Sequence, residues 1–91
     1  MDTPGNKLER RVLYALSRKM DAGLHLEEAA EEYANEEHGG LENYCDHLTA
    51  IEMWQYHRDA ADPIRSMENI GFARGESKEL LKALKIGYRD V

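Results

Sequence analysis

Apolar side chains recur along the chain at the three- and four-residue spacing of α-helices, and they do so in four segments. The first segment predicts a helix from about Lys7 to Asp21. Asn6 is its candidate N-cap, Glu9 takes the third position of a capping box, and Gly23 is the expected stop. The apolar stripe of this helix consists of Leu8, Val12, Ala15, Leu16 and Met20.

The second helix is expected from about Leu26 to Glu37, and the third, predicted to be the longest, from about Leu41 to Ala61. The third helix carries two apolar stripes. One consists of Leu41, Tyr44, Cys45, Leu48 and Ile51. The other consists of Ala50, Met53, Trp54 and His57. A helix that is apolar on two sides is usually central in a bundle or sandwiched between protomers.

The C-terminal third predicts two shorter elements. Asp62 and Pro63 are typical of an N-cap followed by a first-turn proline, and a last helix is expected over about Ser77 to Ile86, with Gly87 as its stop. Prolines and β-branched residues are few, which gives strands little support. We therefore predict one all-α domain over residues 1–91, a compact four- to five-helix bundle with a long central third helix.

Charge is distributed unevenly along the chain. The net charge is −6, and the segment between Met20 and His57 contains ten carboxylates and no lysine or arginine. Like charges four residues apart on the second helix repel one another, so helix stability alone does not favour them. The residues predicted to bind a partner are Glu27, Glu28, Glu31, Glu32, Glu36 and Asp46.

These carboxylates favour a small regulatory or inhibitory protein that binds a basic surface of a protein partner. That surface would often be one that normally binds nucleic acid. The protein would then compete with nucleic acid by presenting carboxylates in place of phosphates, as phage-type nuclease inhibitors do. The excess of acid argues against direct contact with nucleic acid. Alternatively, the acidic face only solubilises the chain or pairs with its basic first and last helices. A homo-oligomeric structural or assembly protein is a further alternative, and self-association is predicted through Met53, Trp54 and His57.

Candidate chemistry is sparse. The chain has no phosphate-binding loop and no nucleophile motif, so we expect no catalytic residue and no enzymatic activity. Its one cysteine, Cys45, excludes an internal disulfide and fits the cytoplasm. Cys45 and Glu52, with Glu42 and His38 nearby, could ligate zinc, which leaves a metal- or ligand-binding helical protein as another alternative. No paired ligand spacing supports it, so neither metal nor cofactor is expected. No apolar run is long enough to cross a membrane.

Overall fold

The computed structural model describes residues 4–36 and 45–89, and within them the chain forms five α-helices and no strand. The helices are α1 (Pro4–Asp21), α2 (Leu26–Glu36), α3 (His47–Asp59), α4 (Pro63–Asn69) and α5 (Arg74–Ala83). The all-helical class is confirmed. The long third helix is not, because α3 has 13 residues and α1 has 18. The predicted start of the third helix at Leu41 lies outside the described residues.

The core lies where α1 packs against α2, α3 and α5, while α4 closes it by packing against α3 and α5. The apolar stripe predicted for the first helix faces this core. Val12, Leu16 and Met20 are buried, and Leu8 and Ala15 are partly buried against them. Burying such side chains is the main favourable contribution to folding. Within the described ranges, no helix is both long and apolar enough to cross a membrane.

Three helices end with the same turn, in which one residue adopts a positive φ. The residues are Gly23 (110°), Gly71 (112°) and Lys85 (60°). In each case the next residue donates its backbone N–H to a carbonyl five positions earlier, which satisfies the end of the helix. The predicted stop at Gly23 is confirmed. The predicted stop at Gly87 is wrong, because Lys85 takes the left-handed position and α5 ends at Ala83.

The helix starts differ more from the predictions. Asp62 caps α4 and Pro63 begins it, as expected. However, α1 begins at Pro4, so Asn6 lies inside the helix and is not its N-cap. Glu9 is therefore not part of a capping box, and its side chain reaches across to α3 instead. Pro4 explains the earlier start, since proline is favoured in the first turn of a helix.

Candidate protein-binding surface

Helix α2 divides cleanly into an apolar side and an acidic side. Ala29, Ala30, Tyr33 and Ala34 are buried against the core. The acidic side is exposed and consists of Glu27, Glu28, Glu31, Glu32 and Glu36. The glutamates lie at the surface, where the side chains of Glu32 and Glu36 are 50% and 55% exposed. The structure therefore places these predicted binding residues on one accessible helix, but some of them already form contacts within the chain.

Two of the five glutamates bind a lysine of α1. The Nζ atom of Lys19 lies 2.7 Å from Oε1 of Glu32 and 2.7 Å from Oε1 of Glu36. Burial lowers the pKa of Lys19, but the hydrogen bonds and charges of both glutamates outweigh this and raise it above its ordinary value. The hydrogen bond from Lys19 lowers the pKa of Glu32. These two carboxylates thus connect α2 to the basic first helix of the same chain.

Two further predicted residues complete helix starts. The Oε1 atom of Glu28 accepts a hydrogen bond of 3.2 Å from the backbone N–H of His25. Asp46 is the N-cap of α3, where its Oδ1 accepts a hydrogen bond of 2.8 Å from the N–H of Thr49. That hydrogen bond lowers the pKa of Asp46. Capping side chains of this kind satisfy backbone donors that the helix itself leaves unpaired.

Glu27 and Glu31 remain, and we call them the free glutamate pair. Both are exposed, and among the residues that the structure describes neither forms a hydrogen bond or an ion pair. They lie four residues apart, which places their carboxylates beside each other on the helix surface. The acidic surface of six predicted residues thus contains two whose positions no contact within the described chain explains.

The stripe predicted for self-association packs inside its own chain. His57 is fully buried, with Nε2 at 2.6 Å from Oε2 of Glu9 and Nδ1 at 2.7 Å from Oγ of Ser66. The Nε1–H of Trp54 donates a hydrogen bond of 2.9 Å to the backbone carbonyl of Leu84. Met53 is partly buried against the core.

The prediction of self-association placed this stripe at an interface between copies, whereas its residues pack against the core of their own chain. The Met53, Trp54 and His57 stripe is the inward side of the helix, because its polar atoms find partners on α1, α4 and the end of α5. The guanidinium of Arg58 also covers the Trp54 ring, 5.0 Å from its centroid. A fully buried histidine cannot contact a second copy in this arrangement. Self-association itself stays a prediction.

The outward side of α3 carries large apolar side chains that sequence reasoning did not assign to a site. Leu48 is 62% exposed and Tyr56 is 68% exposed, and the exposed Glu52 lies between them. The spacing of four residues on either side of Glu52 puts all three on one face. The signal was present in the sequence, since the stripe that contained Leu48 continues at helical spacing to Tyr56.

Cys45 is buried, and burial raises the pKa of its thiol, which keeps it protonated at neutral pH. Glu52 is exposed on α3, while His38 and Glu42 lie outside the described residues. Within residues 4–36 and 45–89, no cluster of three histidine, cysteine, aspartate or glutamate side chains could hold a metal ion. The structure therefore does not bring Cys45 and Glu52 into such a site within these ranges.

No protein-family model, curated protein or solved structure matches the chain.

Proposed function

We propose that the protein is a non-enzymatic regulatory or inhibitory protein that binds a basic surface on a protein partner through α2. The free glutamate pair supplies the central contacts. Glu32 and Glu36 lie on the same helix, but part of their charge is already neutralised by Lys19. Occupying a basic surface would close it to other anionic ligands, phosphates included.

One observation carries the proposal, namely that Glu27 and Glu31 have no contact within the described chain that accounts for their charge. Two neighbouring carboxylates four residues apart repel each other, and neither α2's last turn nor its outer side supplies a lysine or arginine to offset them. A partner with lysine or arginine side chains would relieve this repulsion and gain charge-assisted hydrogen bonds.

The proposal is tested by affinity capture of tagged protein from extracts of its native cell. We expect a partner with a basic surface to be retained by the wild-type protein and lost when Glu27 and Glu31 are both changed to Gln. Retention should fall steeply from low to high salt, because exposed charges are screened over about 8 Å at physiological ionic strength.

The matched control is the Glu32→Gln, Glu36→Gln variant, which removes the same number of charges from the same helix. We expect this variant to retain most of the partner, because Lys19 already neutralises part of that charge. Capture that survives both the Glu27 and Glu31 substitutions and high salt would contradict the proposal. Equal losses in the two variants would assign binding to net charge instead of to the free glutamate pair.

A further inference from the structure

The outward side of α3 carries two exposed apolar side chains and one carboxylate, Glu52, that has no partner within the described residues. Leu48 and Tyr56 are among the most exposed large apolar side chains in the described chain. Glu52 lies midway between them, and within residues 4–36 and 45–89 it forms no hydrogen bond or ion pair. We call these three residues the outer α3 face. Leu48 and Tyr56 lie about 12 Å apart along the helix axis, so a partner that covers both side chains must pass over Glu52.

The position of Glu52 indicates what covers the outer α3 face. A second copy of the chain would pair with it through a two-fold axis. In a parallel pairing each residue faces its own copy. In an antiparallel pairing that covers both Leu48 and Tyr56, the axis passes through their midpoint, which is Glu52. Both arrangements oppose Glu52 to itself, and opposed like charges are unfavourable.

A helix with the opposite charge at its centre meets no such repulsion. We propose that the outer α3 face docks a basic amphipathic helix of a protein partner. A lysine or arginine of that helix pairs with Glu52, and apolar side chains one turn before and after it cover Leu48 and Tyr56. The inference rests on the proposed function, since it assumes a partner with a basic surface, and it adds the form of the segment that docks.

Among the described residues, Tyr14 is a second exposed tyrosine, and its surroundings differ. Tyr14 on α1 is also exposed, but the guanidinium of Arg18 lies 5.8 Å from its ring centroid and Nη1 of Arg18 lies 3.5 Å from its hydroxyl. A cation of the same chain thus already covers part of Tyr14. On the outer α3 face, Glu52 has no such cation among the described residues.

The test measures fluorescence anisotropy of labelled synthetic peptides titrated with the full chain. The probe is an alanine-based helical peptide with a central lysine and a leucine four residues to either side of it. We expect it to bind about five-fold more tightly than the same peptide with glutamate at the centre, from one exposed charge pair gained or opposed. A peptide in which both leucines are replaced by serine should bind more weakly than either.

Variants of the protein locate the contact. Leu48→Ser combined with Tyr56→Ser should weaken binding of the lysine peptide at least about ten-fold, which corresponds to the loss of two apolar contacts. Glu52→Lys should reverse the preference between the lysine and glutamate peptides. Tyr14→Ser is the matched control, because it removes an exposed aromatic side chain elsewhere, and it should leave binding unchanged.

Four results would overturn the inference. The first is equal binding of the lysine and glutamate peptides, and the second is binding that survives the Leu48 and Tyr56 substitutions. The third is binding that only the Glu27→Gln, Glu31→Gln variant loses. This third result would assign the peptide to the free glutamate pair and would leave the proposed function standing. The fourth is a wild-type dimer in sedimentation that Leu48→Ser converts to a monomer, which would make a second copy the occupant.

Discussion

Glu9 and Glu32 each connect two helices of this molecule, but one does so in the interior and the other at the surface. Oε2 of Glu9 lies 2.6 Å from Nε2 of the fully buried His57. Oε1 of Glu32 lies 2.7 Å from Nζ of Lys19, and half of the Glu32 side chain is exposed. The distances are almost equal. What differs is the solvent, which screens the surface pair and is excluded from His57.

The interior cluster connects three helices through one side chain. His57 of α3 contacts Glu9 of α1 and Ser66 of α4, and the hydroxyl of Ser66 donates a hydrogen bond of 3.0 Å to the carbonyl of Pro63. Because water cannot replace a lost partner at the fully buried His57, removing Glu9 or Ser66 leaves one ring nitrogen of His57 unpaired. The cluster therefore specifies how α1, α3 and α4 pack together.

The surface cluster stabilises the fold less than the interior cluster does. Lys19 of α1 forms ion pairs with Glu32 and Glu36 of α2, so these two carboxylates stabilise the packing of α1 against α2. Exposed ion pairs contribute little because water and salt compete with them. The role of a carboxylate in this chain therefore follows from its burial and its partner, not from its place in an acidic stretch of sequence.

The largest effect is expected from His57→Ala. The substitution removes a fully buried side chain, creates a cavity and leaves Glu9 without its interior partner. We expect the free energy of unfolding to fall by about 2–4 kcal/mol, measured by urea denaturation. The control is His47→Ala, at an exposed histidine of the same helix, which should change stability by less than about 0.5 kcal/mol.

A double-mutant cycle separates the contact from the cavity. His57→Ala and Glu9→Ala, measured singly and together, should show a coupling of about 1–3 kcal/mol, as expected for residues joined by a buried hydrogen bond. Strictly additive losses would mean that the two side chains stabilise the fold independently. That result would remove the distinction between the interior cluster and the surface cluster.

A smaller, pH-dependent effect is expected from Lys19→Met. The pKa of Glu32 is lowered by Lys19, so its contribution is present above the ordinary carboxyl pKa of about 4.3 and is lost as the pH falls through the folded value. We therefore expect the variant to melt at most about 4 °C below the wild type at pH 7. Thermal melts of the two proteins should converge once the pH falls below the lowered pKa of Glu32. A difference that persists unchanged in acid would show that Lys19 stabilises the fold by packing alone.

Helical periodicity predicted the class of the fold, and the reason is local. The spacing of Val12, Leu16 and Met20 already marks one buried side of α1, and the dipeptide Asp62-Pro63 carries its own capping geometry. Such features depend on neighbours within one or two turns. The end of α5 shows the limit, because a nearby glycine suggested a stop at Gly87 while tertiary packing of the buried Ile86 places the left-handed turn at Lys85.

The candidate site was predictable only as a set of charges. Sequence reasoning placed the acidic residues of α2 on one exposed side, and the structure does the same. It could not show that Lys19 lies against Glu32 and Glu36, because that contact spans two helices. For the same reason it could not distinguish the two sides of α3. Which stripe faces inward depends on Glu9, Ser66 and Leu84, which are distant in sequence.

The smallest effect on the fold is expected at the free glutamate pair, whose carboxylates have, within the described residues, neither the histidine partner of Glu9 nor the lysine partner of Glu32. Glu27 lies in the first turn of α2, where its charge is favourable, but it also repels Glu31 one turn later. In the Glu27→Gln, Glu31→Gln variant these contributions should nearly cancel, so the melting temperature of the isolated protein should stay within about 2 °C of the wild type. A large drop in melting temperature would show that the two carboxylates have a structural partner, and they would then belong with Glu9 and Glu32. An unchanged melting temperature combined with lost partner capture would separate binding from folding at these two positions.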